Sequence, residues 1–282
     1  MKEAKLKAGV IGWPVKYSLS PRLHNYWLKQ YGIDGSYEAL AVAPEELTKF
    51  LKNLPELGYC GVNLTVPHKQ AAHTMFLSEY GTPSIDRDAT RTGAINTVVV
   101  RKDKKLEGRN TDAYGFKQNL LAAGFDSKNR PAVVLGAGGA ARAAIVALFD
   151  MGVKDIRLVN RTASRAERLM REWGDTIGIY DWKNCSKAFS NVGLFANATS
   201  LGMQGQPPFE ISLENLPLEA VVTDLVYTPL MTGLLRAAQK RGHKIIDGLG
   251  MLLYQAQPGF EAWFGVKPEI TPALRAYMIE AL

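Results

Sequence analysis

The chain has 282 residues, 46% hydrophobic and 22% charged, with 34 Lys and Arg against 27 Asp and Glu for a net charge of +7. That balance excludes an intrinsically disordered chain and supplies enough apolar material for two cores, while the positive charge favours acidic partners, either a nucleic acid or an anionic metabolite. The basic residues are scattered without a basic helix, an aromatic RNP-type motif or zinc-finger spacing, and no run approaches the roughly 18 apolar residues of a membrane helix, so neither nucleic acid nor membrane is an expected partner.

Cys60 and Cys185 are the two cysteines. They form no CxxC pair and signal neither a disulfide framework nor a zinc site. The opening MKEAKLKAGVIGW lacks the apolar core and cleavage site of a secretory signal, and a cytoplasmic protein is expected.

In chain order, AGVIGW reads as a strand, SPRLHNYWLKQYG as a helix, SYEALAV as a strand, PEELTKFLKNLPELG as a helix and CGVNLTV as a strand. This alternation predicts an α/β domain with a mainly parallel sheet. Ser20 before Pro21 has the form of a helix N-cap with proline at the first helical position. Ser18 has no such structural role, and hydroxyls at 18 and 20 beside a helix start suit a carboxylate. In GVNLTVPHKQ the strand breaks at Pro67 and opens a helix that presents His68 and Lys69, a rigid mount for a reacting side chain or simply a solvated lysine.

SEYGTPSIDRDATRTG, residues 78–93, is expected as a loop, and AINTVVVRKDKKLEGRNTD as a hairpin turning at Lys102–Lys105. A first domain then closes over residues 1–112. AYGFKQNLLAAGF is a helix that links to a second domain over 113–251, with DSKNRP as the break between its helix and first strand. There, strands in AVVLG, DIRLVN, VGLFAN, AVVTD and KIID alternate with helices. The tail, 252–282, is helical with an interruption at FGVKPEITP and is expected to pack back on the first domain.

VVLGAGGAA offers Gly136, Gly138 and Ala141 in the G-x-G-x-x-G/A pattern between a strand and a small-residue helix. The first glycine permits the turn, the second lets a pyrophosphate approach the backbone, and the alanine lets helix and sheet pack closely. A strand follows at the right distance, which favours dinucleotide binding over a purely structural turn. That strand ends in LVNRTASR, without the carboxylate that would hold a ribose 2′-hydroxyl. Arg161, Arg165 and the Thr162 hydroxyl suit a 2′-phosphate instead, hence NADP, although Thr162 or Ser164 could equally cap a helix.

No G-x-S-x-G elbow is present, and His24, His68, His73 and His243 show no ligand-like spacing, so no metal is expected. The motifs SLSP at 18–21, NLTVPHK at 63–69, GAINT at 93–97, NTD at 110–112, GAGGAA at 136–141, NRT at 160–162 and DGLGMLLYQA at 247–256 occur in this order. Together they resemble the NADP-dependent shikimate dehydrogenase family over nearly the whole chain.

The resemblance implies an N-terminal substrate-binding domain plus a Rossmann domain, and reversible NADPH-dependent reduction of 3-dehydroshikimate to shikimate, a step of aromatic amino acid biosynthesis. It implies Lys69 as acid/base paired with Asp112. Ser18 and Ser20 would hold the substrate carboxylate, Thr65, Asn96, Asp112 and Gln255 its hydroxyls, and Tyr227 would border the ring. Gly136, Ala137, Gly138, Gly139, Ala140, Asn160, Arg161, Thr162, Arg165, Thr199, Leu225, Gly248 and Met251 would line NADP.

Departures from the family pattern are Ala113 and Tyr114 after NTD, and the length of the 78–92 stretch. A quinate/shikimate dehydrogenase accepting NAD, and a noncatalytic regulator that keeps the pocket, are the alternatives. The oligomeric state is open, with a homodimer among the options.

Overall fold

The computed structural model describes residues 5–127 and 129–282. Residues 1–4, part of the N-terminal segment read for targeting, and Lys128, in the expected DSKNRP break, lie outside the described residues. The chain divides into two compact units, one running to Thr111 and including Leu253–Ala281, the other Asp112–Leu252.

The first unit begins with β1 (Leu6–Gly12), α1 (Ser20–Gln30), β2 (Gly35–Ala41), α2 (Leu47–Asn53), β3 (Tyr59–Leu64) and α3 (His68–Tyr80). It continues through α4 (Arg87–Thr92), β4 (Thr97–Val100) and β5 (Leu106–Arg109). The sheet order is β2-β1-β3-β4-β5, parallel across the first three strands and antiparallel across the last two pairings. The sheet is therefore mixed. Its antiparallel part is the charged hairpin, closed by Arg101 N–H donating to the Lys105 carbonyl at 2.8 Å, with Lys104 in the left-handed region. Val62, Phe76, Val98 and Leu51 form the centre of the core on one face.

Two expectations are corrected here. The N-cap position of α1 is Leu19, with Ser20 and Pro21 as its first helical residues, one place earlier than expected. The stretch expected as a loop at 78–93 is largely helical: α3 continues to Tyr80, and α4 is a short helix with its own punctuation. Asp86 caps α4 by accepting the Ala89 N–H at 2.6 Å, and Gly93 ends it at φ 63°. Six residues are too few to show a helical period, so the cap and the glycine were the only signals.

The second unit comprises α5 (Asp112–Ala122), β6 (Ala132–Leu135), α6 (Gly139–Asp150), β7 (Ile156–Asn160), α7 (Ala163–Trp173), β8 (Ile177–Asp181), β9 (Leu194–Asn197), β10 (Val221–Asp224), α8 (Gly233–Lys240) and β11 (Ile245–Ile246). All its pairings are parallel, in the order β11-β10-β9-β6-β7-β8. Strand order reverses between β6 and β9, the switch point at which doubly wound sheets bind ligands. β8 is absent from the sequence reading: it is an edge strand with Ile177 its one fully buried residue, so its pattern carries little hydrophobic signal.

α5 starts at Asp112, one residue before the expected start at Ala113. The tail forms α9 (Leu249–Phe264) and α10 (Pro272–Ile279), broken at Gly265–Thr271, and α9 starts three residues before the expected boundary at 252. From Leu253 onward it belongs to the first unit, where Trp263 Nε1 donates to the Val98 carbonyl at 3.0 Å and the Phe260 ring lies 5.3 Å from that of Trp27.

Gly61 in β3 makes that seat possible, because a methyl there would overlap both Trp263 Nε1 and the Val98 carbonyl oxygen. Gly61→Ala is expected to lower the unfolding free energy by about 3 kcal/mol, the upper end for overpacking at a site where neither backbone nor indole can yield. Denaturant unfolding followed by tryptophan fluorescence checks this; an unchanged midpoint would refute the close approach.

Candidate active site

In the first unit, chemistry collects where the chain leaves the carboxyl ends of the strands. The Ser18 amide donates to the Val15 carbonyl at 3.0 Å, and its Oγ accepts the Ser20 N–H at 3.3 Å. Ser18 therefore does have a structural role, which corrects the sequence reading, but accepting leaves its own proton available to a ligand. Ser20 is buried at the start of α1 with its hydroxyl against the Tyr37 phenol. Two hydroxyls at the positive end of an 11-residue helix make a donor-rich place for a carboxylate.

Thr65 follows β3 directly; its amide donates to the Ile11 carbonyl and its own carbonyl accepts the His68 N–H, both at 2.9 Å. Pro67 occupies the N-cap position of α3, so Lys69 lies in the first turn. The Lys69 carbonyl accepts the Ile95 N–H at 2.9 Å, which fastens the lysine backbone next to Asn96. His68 Nε2 lies 2.9 Å from the Val42 carbonyl oxygen, and burial lowers its pKa, as befits a structural histidine.

Asn96 is buried, with Nδ2 donating to Thr111 Oγ1 at 2.9 Å and to Gln255 Oε1 at 3.4 Å, while its Oδ1 accepts the Thr111 N–H at 2.8 Å. Of the residues assigned to substrate, Ser18 and Ser20 thus meet, and Asn96 meets Gln255. Lys69 opens α3 in the first unit, whereas Asp112 opens α5 and Tyr227 follows β10 in the second.

In the second unit the glycine turn sits at the switch point. Gly136 has φ +105°, and a Cβ there would lie 3.0 Å from the Ala198 carbonyl oxygen and 3.1 Å from Thr199 Cγ2. Glycine is required there for the fold itself. Around Gly138 and Gly139 a Cβ would meet nothing within 4 Å, so the protein's own packing does not demand glycine there. That open space above a 12-residue helix start fits a pyrophosphate approaching the backbone. Ala137 is buried beneath the turn, and Ala140 lies in the first turn of α6.

At the end of β7, Asn160 Nδ2 donates to the Thr162 carbonyl at 2.7 Å, shaping the turn into α7. Thr162 takes the N-cap position, yet its side chain makes no capping bond, and Arg161 and Arg165 are exposed. The Thr162 side chain is therefore not used as the cap of α7. Thr199 Oγ1 donates to Asn197 Oδ1 at 2.6 Å. Gly248 packs so closely that a Cβ would lie 2.6 Å from the Leu225 carbonyl oxygen, while Met251 rests on the core of the unit.

Several residues that organise the site were missed from sequence: Tyr37, Asn63, Thr97 and Thr111 in the first unit, and Asn197, Asp224 and Thr232 in the second. Asn197 and Asp224 end the apolar strands FAN and VVTD, and a lone polar residue at such a strand end was the available signal. The buried Asp224 carboxylate accepts from Asn197 Nδ2 at 2.9 Å, the Val226 N–H at 3.0 Å and Thr232 Oγ1 at 2.7 Å. It therefore orders the chain after β9 and β10, which carries Thr199, Leu225 and Tyr227. Burial nevertheless pushes its pKa up to about 6, outweighing those hydrogen bonds.

These features define a two-unit α/β protein whose first unit bears a buried polar cluster beside a helix-mounted lysine and whose second is a dinucleotide-binding unit. Family models match along the chain: shikimate dehydrogenase substrate binding domain over residues 10–98, shikimate/quinate 5-dehydrogenase over 119–202, and shikimate 5′-dehydrogenase C-terminal domain over 248–282. A shikimate dehydrogenase (NADP(+)) from Paramagnetospirillum magneticum is 50% identical over 274 residues, 96% of this chain and 97% of that protein. One from Rhodospirillum rubrum is 48% identical, covering 96% of each chain.

Among solved structures, shikimate 5-dehydrogenase from Thermus thermophilus in complex with NADP(H) and shikimate matches with TM-score 0.86 and 37% identity, over 98% of this chain and 100% of that one. Quinate dehydrogenase from Corynebacterium glutamicum in complex with NAD matches with TM-score 0.86 and 27% identity, over 98% of each. The chain belongs to the shikimate dehydrogenase family.

Asp224 provides a test of the second unit. Its carboxyl holds a proton more tightly in the folded protein, at about 6, than an unfolded chain does at about 3.9. The stability this contributes is present below about pH 4 and is lost as pH rises through about 6. Asp224→Asn keeps an acceptor for Asn197 and Val226 but cannot ionise, so between pH 4 and pH 7 wild-type stability should fall relative to the variant. Parallel stability profiles across this range would refute the assignment.

Proposed function

We propose that the protein catalyses the reversible NADPH-dependent reduction of 3-dehydroshikimate to shikimate, a step of the shikimate pathway of aromatic amino acid biosynthesis. The observation that carries this is near full-length 50% identity to a shikimate dehydrogenase (NADP(+)). The open glycine turn and the hydroxyl, amide and lysine set of the first unit support it.

Bound NADPH supplies the hydride that reaches C3 of the substrate. Lys69 gives a proton to the C3 oxygen during reduction and takes it back from the C3 hydroxyl during oxidation, so ketone, hydride and proton balance to the alcohol. Asp112 accepts from a substrate hydroxyl. Ser18 and Ser20 donate to the carboxylate, Thr65, Asn96 and Gln255 meet the ring hydroxyls, and Tyr227 borders the ring. Gly136–Ala140 cradle the pyrophosphate, while Asn160, Arg161, Thr162 and Arg165 take the 2′-phosphate. Thr199, Leu225, Gly248 and Met251 line the remainder of the dinucleotide.

The unit up to Thr111 with the tail thus serves as the substrate domain and the unit from Asp112 as the NADP domain. No described helix is long and apolar enough to cross a membrane. We place the enzyme in the cytoplasm; the reaction requires neither nucleic acid nor a metal, and the chemistry is the same for a single chain or a homodimer.

Purified protein mixed with shikimate or quinate, each with NADP or NAD, should give reduced-nicotinamide absorbance rapidly for shikimate with NADP alone. Equal rates with quinate or NAD would move the protein to the quinate/shikimate alternative, and silence in all four would favour a noncatalytic regulator. Lys69→Ala should lower kcat by about 10²–10⁴-fold with little change in KM. A variant that retains kcat but has a high KM would make Lys69 a binding residue only. Arg161→Ala with Arg165→Ala should raise KM for NADP and leave KM for NAD unchanged.

A further inference from the structure

Strand β3 is almost wholly apolar and buried, yet Asn63 lies within it and the phenol of buried Tyr37 points at it. Buried polar groups cost stability unless every one is bonded, and apolar residues would make a cheaper core. Here the bonds form a connected chain, with Thr97 Oγ1 also 3.3 Å from Thr111 Oγ1. Asn63 Oδ1 can only accept, so Tyr37 Oη donates to it, at 2.6 Å. That turns Asn63 Nδ2 toward the Asn96 carbonyl at 3.1 Å and Thr97 Oγ1 at 3.0 Å. Thr97, having accepted, donates to Asn96 Oδ1 at 3.0 Å.

Asn96 Oδ1 also accepts the Thr111 N–H, a backbone donor that cannot reverse, so its Nδ2 faces Thr111 Oγ1 and Gln255 Oε1. The far end of the chain therefore holds Gln255 with its oxygen toward Asn96. Tyr37 itself is held firmly. Its amide donates to Asn25 Oδ1 at 3.1 Å, its carbonyl accepts from Asn25 Nδ2 at 2.8 Å, and its ring stacks on His24 with centroids 4.0 Å apart.

We infer, on the assignment of Asn96 and Gln255 to substrate hydroxyls made above, that Tyr37 is a positioning residue: the Thr111 N–H sets which way the Asn96 amide points, and Tyr37, through Asn63 and Thr97, holds Asn96 in that place against Gln255. Orientation set before binding spares the ligand the cost of ordering these amides. The chain joins side chains from α1's neighbour strand β2, from β3, β4 and α9, which lie far apart in sequence, and it ends on two residues assigned to the ligand. A fold that needed only a filled core would not require that ending.

Tyr37→Phe keeps the ring on His24 but removes both the bond to Asn63 and the contact with the Ser20 hydroxyl, whereas Thr97→Val removes the middle of the chain without touching Ser20 and so isolates the relay. Each should raise the Kd of shikimate, measured by calorimetry without cofactor, and its KM by about three- to tenfold, the effect of one net hydrogen bond, with KM for NADP unchanged. The double variant should be no worse than the poorer single variant, because both act along one path. A lower Tm with unchanged shikimate Kd in Tyr37→Phe, or additive losses in the double variant, would overturn the inference by making Tyr37 purely structural.

Should Tyr37→Phe fail to fold, Thr97→Val alone decides by the same measurement. If the wild-type protein neither binds nor turns over shikimate, the proposed function fails instead. The relay is then judged by NMR, where the Asn63 and Asn96 side-chain amide protons should exchange slowly in wild type and fast in Tyr37→Phe; equal exchange rates would refute it.

Discussion

Each buried polar group where strands give way to turns must find a partner, and in this protein those obligations fix the positions of the residues assigned to the proposed site. In the first unit Asn63 and Asn96 could not be buried without Tyr37, Thr97 and Thr111. In the second, Asn197 and Thr232 surround Asp224, and the loops that follow are drawn in by the same bonds. The sheets supply a rigid apolar frame, but the frame alone would leave the loop ends loose. An unsatisfied buried donor or acceptor costs about 1–3 kcal/mol, comparable with a large share of a domain's net stability. Satisfying these groups therefore selects one loop conformation among many, and the functional side chains inherit that precision.

What was legible in the sequence was local. Gly136 must adopt a positive φ within a fixed pattern, and Pro67 must end a strand, so the phosphate turn and the mount of Lys69 could be read from a few adjacent residues. The same holds for the charged hairpin before β5. What was not legible depended on partners distant in the chain or on segments too short for a period. Asn96 and Gln255 are separated by 159 positions, and Tyr37 and Asn63 by 26, so nothing near either residue announces the pairing. α4 failed because six residues show no helical period, and β8 because an edge strand with one fully buried residue carries little hydrophobic signal. Ser18 shows a subtler limit, since a hydroxyl can cap the next turn and remain a ligand donor, and residue type alone does not separate these roles.

The two halves of the proposed site rest on opposite physics. Amides and hydroxyls on the substrate side are buried and oriented by one another, where a low local dielectric strengthens each bond and penalises any gap. On the cofactor side, Arg161 and Arg165 are exposed at the start of α7, where water and salt screen them. Discrimination for a 2′-phosphate there must come from charge-assisted bonds formed when the ligand arrives, helped by the helix start. The pyrophosphate cradle differs again, because it uses backbone N–H groups at a turn with open space above Gly138 and Gly139.

It follows that the halves should tolerate substitution differently. Exchanging one exposed arginine leaves the protein's own bonding intact, so under the proposed assignment cofactor choice can drift with little loss of stability. Exchanging one member of the buried chain leaves a polar group without its partner, so any change in substrate preference at Asn63, Thr97 or Asn96 must be matched by a second change that restores the bonding. Under the proposed assignment, substrate recognition is thereby coupled to folding whereas cofactor selection is not, and the difference comes from burial alone: a hydrogen bond that is replaceable by water at the start of α7 has no substitute beneath β3 and β4.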